Sequence, residues 1–271
     1  MNIDIIVTSN NSQDFNNQLL ETKLEEHTFN VSALCYQAKS TDDDKVSNIK
    51  TSLNNDSEVI VAMRGGSGLT RLMAALKAIE ISSSPKTFVG YSDLTALINW
   101  LPTVSNIKTI HGPMAFELTS ESRIAKFANA LSNTNVIFDK PATWLVKGNL
   151  SGQVVGGNMM LVTDSLGTFY EPDFNNKLLL LEEVDEPIDK LDRMFAQLRD
   201  TGVLNQVQGI LLGNFKNCAT DIELQTLFET YLVPLDIPVL YNLNLGHIDD
   251  SDYISLYTDL CIDENGIYYK D

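Results

Sequence analysis

Short, wholly apolar runs that end in glycine and pass at once into a helical stripe recur through the first half of the chain. Val59 to Met63 leads into Arg64-Gly65-Gly66-Ser67-Gly68, after which Leu69, Leu72, Met73, Leu76 and Ile79 recur at helical spacing. Thr87 to Val89 leads into Gly90-Tyr91-Ser92-Asp93, followed by Leu94, Leu97 and Trp100 at the same spacing. A strand that is apolar at every position expects burial on both faces. Such strands alternating with helices specify an α/β fold with a parallel sheet covered on both sides. Ligands bind beyond the C-terminal strand ends of these sheets, which is where both glycine turns lie. Upstream, Ile3 to Val7 and Phe29 to Leu34 read as strands, 11–25 as a helix and 40–57 as a solvated helix.

Further on, Lys108-Thr109-Ile110 leads into His111-Gly112-Pro113, and 115–135 reads as a polar helix. Residues 136–150 carry Pro141 and Gly148 with little periodicity and read as a linker. The expected organisation is therefore an N-terminal domain over 1–135 and a C-terminal domain over 151–271. The second half opens with a strand and glycine turn, Gly152 to Asn158. The run Leu178 to Leu181 ends at Glu182-Glu183. Pro187 opens a helix at its first turn, with Ile188, Leu191, Phe195 and Leu198 as its buried stripe and Gly202 closing it. Ile210 to Leu212 and Ile237 to Leu240 read as further strands, separated by a helix through Leu227 and Tyr231 that stops at Pro234. The tail reads as a hairpin about Asn265-Gly266.

A chain of 271 residues with 44% apolar content can build one large core or two modest ones. Its net charge of −17 argues against nucleic acid and anionic membranes as partners. An anionic substrate would need a local Arg or Lys. Cys35, Cys218 and Cys261 lie far apart, show no metal or redox spacing and read as buried thiols of a reducing compartment. The first residues lack a basic flank and a long apolar core, so no signal peptide is expected. Nothing approaches a membrane span, and a cytoplasmic protein is expected.

The turn at Ser92 sits between a strand and a helix, a geometry that lifts a hydroxyl off the sheet toward unpaired backbone N–H groups. Leu94 stands where a G-x-S-x-G motif would place its second glycine, so the motif is incomplete, and a Ser-Asp pair before a helix also serves as an ordinary cap. A serine needs a base, and the base needs orienting. His27 lies in a polar stretch and reads as a surface residue, whereas His111 and His247 both follow strands and stand as equal candidates. Glu182, at the end of a four-leucine run, is a carboxylate that burial would penalise unless paired; the alternative is a strand emerging into solvent. The Gly65 loop has neither a phosphate-loop lysine nor dinucleotide-binding spacing. Its glycines allow close backbone approach, so an N–H there can serve an oxyanion hole.

Taken together, these blocks resemble the LD-carboxypeptidases, serine peptidases of bacterial cell-wall recycling, and the related microcin C immunity proteins. The resemblance rests on Arg64-Gly-Gly-Ser-Gly68, Gly90-Tyr-Ser-Asp-Leu-Thr-Ala-Leu97, His111-Gly-Pro113, Gly156-Gly-Asn158 with Leu166-Gly-Thr168, Leu181-Glu-Glu-Val184 with Ile188-Asp-Lys-Leu-Asp-Arg193, Gly213-Asn-Phe215, and Ile237-Pro-Val-Leu240 with Gly246-His247, in that order. It implies an N-terminal flavodoxin-like parallel-sheet domain and a C-terminal mixed α/β domain, with the active site in a cleft between them. It further implies a triad of Ser92 as nucleophile, Glu182 as acid and His247 as base, and an oxyanion hole from the N–H groups of Gly66 and Asp93. Three features depart from the family pattern. Ser67 stands where an aromatic is usual, Ile6-Val7-Thr8-Ser9 lacks a proline, and Ile248-Asp-Asp-Ser-Asp252 is unusually acidic.

The resemblance implies a serine carboxypeptidase that cuts an L,D amide bond and releases terminal D-alanine from murein tetrapeptide, without metal or cofactor. Arg64 is the candidate to bind the substrate carboxylate, its alternative being to pin its own loop. Arg193, beside Asp192, reads as a structural ion pair. The expected partners are a small murein peptide and a second copy of the chain in a homodimer, with no nucleic acid and no membrane. The competing functions are hydrolysis of peptidyl-nucleotide antibiotics and non-catalytic peptide binding.

Overall fold

A computed structural model of the chain describes residues 1–12, 14–132, 142–263 and 266–270. These fall into two compact units: Met1–Thr134 with Tyr253–Ser255, and Asn135–Asp252 with Leu256–Asp271.

The first unit runs β1 (Asn2–Ile6), α1 (Gln18–Lys23), β2 (Thr28–Val31), α2 (Asp42–Asn54), β3 (Val59–Ala62), α3 (Leu69–Lys77), β4 (Lys86–Gly90), α4 (Thr95–Val104), β5 (Ile107–His111) and α5 (Glu121–Leu131). Its sheet has the order β2-β1-β3-β4-β5, and these strands are parallel throughout. This is the flavodoxin-like order, as expected. The all-apolar runs are the central strands: Ile3, Ile5, Val59 to Met63, Phe88 and Val89 are buried. One face packs with Leu20, Ile124 and Phe127 in a single core. Helix α2 begins with a reciprocal cap between Thr41 and Asp44, which satisfies orphan N–H groups in an otherwise polar, weakly amphipathic segment.

The second unit runs β6 (Thr143–Val146), β7 (Leu150–Asn158), α6 (Met159–Ser165), β8 (Leu178–Val184), α7 (Ile188–Asp200), α8 (Val203–Gln206), β9 (Gly209–Lys216), α9 (Asp221–Leu232) and β10 (Val239–Tyr241). After β11 (Ile254–Leu256) come β12 (Asp259–Asp263) and β13 (Gly266–Tyr269). Its sheet has the order β13-β12-β7-β8-β9-β10-β6. It is mixed: β7, β8, β9 and β10 are parallel, while β6, β12 and β13 pair antiparallel. Leu179, Leu181, Leu191, Phe195, Leu198, Ile210 and Leu212 share its core. The tail hairpin is the β12–β13 pair, and its turn residues 264–265 lie outside the described residues.

Five expectations need correction. Helix 11–25 shortens to α1, because Asn16 Oδ1 accepts from Gln18 N at 2.9 Å and starts the helix late. The helix over 115–135 breaks into a 3₁₀ turn, Ala115–Glu117, and α5, whose cap is Ser120. In the stretch read as a linker, 136–141 lie outside the described residues, but Thr143–Val146 is strand β6, as its β-branched and aromatic content favours. Pro187 is the cap of α7 and not its first helical residue. Finally, Tyr253–Ser255 belongs to the first unit although it follows the second in sequence. Strand β11 pairs with β5 and completes a six-stranded sheet.

Candidate active site

In the first unit, three chain turns converge at the C-terminal ends of β1, β3 and β4. Ser92 follows β4 with φ 63°, the left-handed region that costs a non-glycine residue about 1–2 kcal/mol. Its turn is held by Thr95, whose Oγ1 donates to Ser92 O at 2.7 Å. The residues at the starts of the 3₁₀ turn Ser92–Leu94 and of α4 are Tyr91 and Leu94, and neither makes a side-chain cap bond. Gly90 is required here, because a Cβ would lie 2.7 Å from Leu94 Cδ2.

The glycine loop passes over this turn. A Cβ on Gly65 would lie 3.1 Å from both Cβ and Oγ of Ser92 and 3.3 Å from Met114 Cε. Gly66 has φ 141°, and a Cβ there would strike Asn10 at 2.3 Å. Gly66 and Ser67 are exposed, so their backbone is open to a ligand. The loop is fastened by Asn10 N donating to Gly65 O at 3.4 Å and Phe116 N donating to Met63 O at 2.9 Å. Arg64 lies over the Phe116 ring, its guanidinium carbon 5.2 Å from the centroid. It makes no ion pair or hydrogen bond among the described residues, so it does not pin its own loop.

Asp93 is buried, and its Oδ2 accepts from Ser9 Oγ at 2.5 Å and from Leu69 N at 3.0 Å. Tyr91 donates its hydroxyl to Glu117 Oε1 at 2.6 Å. It meets His111 edge-on, with ring centroids 5.5 Å apart. His111 is fully buried in this unit.

In the second unit, Glu182 is fully buried, and its Oε2 lies 2.8 Å from His247 Nδ1. A carboxylate only accepts, so Nδ1 carries the hydrogen, and Nε2 is the lone-pair nitrogen that can take a proton. Glu182 Oε1 meets no donor among the described residues, which leaves the imidazole as that carboxylate's one hydrogen-bonded partner there. Two glycines admit it: a Cβ on Gly246 would meet Glu182 Oε2 at 2.6 Å, and one on Gly213 would meet Glu182 Cβ at 3.0 Å. The His247 loop closes on itself through Ser251, whose Oγ accepts from Gly246 N at 3.1 Å. Asn244 Nδ2 donates to Asp250 O at 2.9 Å, and Asp252 N donates to Asn244 O at 2.7 Å.

Strand β8 does not emerge into solvent at Glu182. Its pairing with β9 shifts register between Leu181 and Glu183, an irregularity of the kind that re-aims side chains. Glu183 is buried as well. Its carboxylate accepts from Asn158 Nδ2 at 2.6 Å, Val184 N at 2.9 Å and Met160 N at 2.8 Å. Burial nevertheless pushes its pKa above the ordinary carboxylate value.

The structure thus groups Ser92, Gly66, Asp93 and Arg64 in one unit, and Glu182 with His247 in the other. His247 has the Glu182 carboxylate at its Nδ1, and His111 meets the Tyr91 ring. Sequence reasoning missed Ser9, Met114, Phe116 and Ser251. Of these, Ser9 had a signal, since it stands just past the C-terminal end of β1. Among the described residues no three His, Cys, Asp or Glu side chains converge as a metal site requires.

One unit thus presents Ser92 on a left-handed turn, and the other holds the His247 imidazole against the buried Glu182 carboxylate. Residues 3–112 match the LD-carboxypeptidase N-terminal domain and residues 151–258 the LD-carboxypeptidase C-terminal domain. A probable murein peptide carboxypeptidase of Bacillus subtilis is 31% identical over 224 residues, covering 78% of this chain and 70% of that protein. Among solved structures, a muramoyltetrapeptide carboxypeptidase from Oxalobacter formigenes superposes with TM-score 0.79 at 22% identity, over 98% of this chain and 97% of its own. An MccF-like protein from Bacillus anthracis superposes with TM-score 0.83 at 21% identity, over 98% and 94%. The chain belongs to the LD-carboxypeptidase family and is a serine-type carboxypeptidase.

Proposed function

We propose that the chain releases the terminal D-alanine of murein tetrapeptide, with Ser92 as nucleophile, His247 as general base and acid, and Glu182 as the group that orients the imidazole. The observation that carries this reading is the Glu182–His247 pair: a fully buried carboxylate 2.8 Å from Nδ1 directs Nε2 to proton transfer. Ser92 Oγ attacks the amide carbonyl while His247 Nε2 takes its proton. The Gly66 and Asp93 N–H groups receive the negative oxygen that forms. His247 then returns the proton to the leaving amine of D-alanine, and water repeats the cycle on the acyl-enzyme.

Arg64 holds the substrate's terminal carboxylate in this reading. Its guanidinium is steadied by the Phe116 face and keeps its hydrogen-bond donors for a ligand, and a fork of donors suits a carboxylate. Such a cation is what an anionic peptide requires on a chain of net charge −17. The reaction is placed in the cytoplasm with a homodimer as the working assembly, which light scattering tests. For the reaction itself, purified protein is incubated with murein tetrapeptide and analysed by mass spectrometry. Loss of one alanine supports the reading. Turnover of a peptidyl-nucleotide with no release of alanine from the tetrapeptide overturns it.

A further inference from the structure

The Asp93 carboxylate does work that its backbone N–H does not explain. One oxygen, Oδ2, receives two donors from two other segments: Ser9 Oγ beyond β1 at 2.5 Å and Leu69 N at the start of α3 at 3.0 Å. Helix α3 has no side-chain cap of its own, because its cap residue is Gly68, at φ 106°. Asp93 therefore caps a helix to which it does not belong. It also places a negative charge at that helix's positive end, where it is favoured. The two ends of the Gly65–Gly68 loop are then fixed differently. Its start is tied through Met63 and Gly65 backbone, and its end depends on the Asp93 side chain.

That dependence matters because the loop passes close to the nucleophile: a Cβ placed on Gly65 would come within 3.1 Å of the Ser92 side chain. We infer that the Asp93 carboxylate is a positioning residue, which sets the spacing between the glycine loop's N–H and Asp93's own N–H by bonding to Ser9 and Leu69. This rests on the proposed roles of Ser92, Gly66 and the Asp93 backbone. Two donors must meet one developing oxyanion, and a shift of about 1 Å is enough to cost about 100-fold.

The test is the rate at which a fluorophosphonate labels Ser92, followed by intact mass, because this reaction needs the nucleophile and the oxyanion hole but no peptide. It remains readable if murein tetrapeptide proves to be the wrong substrate. That outcome would fail the proposed function and leave the present inference standing or falling on labelling alone. Asp93→Ala should slow labelling about 10- to 100-fold and lower kcat on any turned-over peptide by a similar factor, with KM within about 2-fold. Asp93→Asn, which keeps an acceptor oxygen, should recover most of the loss. Folded Asp93→Ala that labels at the wild-type rate, with only a lowered Tm, would make the carboxylate structural and overturn the inference. Should Asp93→Ala fail to fold, Ser9→Ala decides. It removes one of the two donors and should slow labelling about 3- to 10-fold; labelling at the wild-type rate would overturn the inference equally.

Discussion

A serine hydroxyl is a poor nucleophile at neutral pH, so its reactivity is a property of its neighbours. On the proposed triad, Ser92→Ala, His247→Ala and Glu182→Gln should each lower kcat by about 10³-fold or more, and their combinations should cost little beyond the largest single loss, because the members of a triad act as one unit. Steady-state kinetics of the single, double and triple variants checks this, and additive losses would separate the residues into independent roles. His111→Ala should act mainly through stability, since its ring is wholly inside the first unit. Arg64→Lys replaces a fork by a point charge. It should weaken kcat/KM for a free-carboxylate peptide about 10-fold or more and leave Tm nearly unchanged. The preference for that peptide over its C-terminal amide should shrink, and an unchanged preference would leave the carboxylate to another cation. Residue identity made Ser92 and Glu182 visible in the sequence, because each interrupts an apolar pattern at a strand end. The pairing of His247 with Glu182 was not visible there. It depends on a contact across 65 positions, and no local pattern encodes that contact.

Wholly apolar strands were legible as elements because burial on both faces writes itself into every residue. The ends of elements were less so. Strand β8 continues past its leucines through two buried carboxylates, which composition alone places in water, and β6 and β11 are too short for any periodicity to show. Two predictions belong at this scale. Glu183 holds its proton more tightly in the folded protein than in the unfolded chain, because burial outweighs its hydrogen bonds. Its stabilising contribution is therefore full below the ordinary value of 4.5 and is lost as pH rises through the elevated folded value. In Glu183→Gln the decline of Tm over that window should be shallower than in wild type, as thermal unfolding at stepped pH would show; an identical slope would refute the assignment. The second concerns β11. A Cβ on Gly112 would lie 2.2 Å from the Tyr253 ring, whose hydroxyl donates to Pro113 O at 3.2 Å. Gly112→Ala should destabilise the protein by about 1–3 kcal/mol by denaturant unfolding, and Tyr253→Phe by about 1 kcal/mol.

Over the whole molecule, the thiols test how closed the two cores are. Burial pushes Cys35 up to about 12 and Cys218 up to about 11, so neither is a thiolate near neutral pH. Iodoacetamide at pH 8 should leave both unmodified in the native protein and alkylate them once it is unfolded, as peptide mass mapping would show. A change of pattern near the middle of the chain was legible in the sequence. The return of Tyr253–Ser255 to the first unit was not, because it sets spatial neighbours against sequence neighbours. That return also has a consequence in time. The contact from Tyr253 to Pro113 spans 140 residues, and at an elongation rate of about 5–20 residues per second this is a wait of about 7–28 s. Until Tyr253 leaves the ribosome, the nascent first unit has β5 as an unpaired edge. The unit that holds Ser92 is thus finished only after most of the unit that holds His247 has been made, and a chaperone that shields strand edges has that interval in which to act.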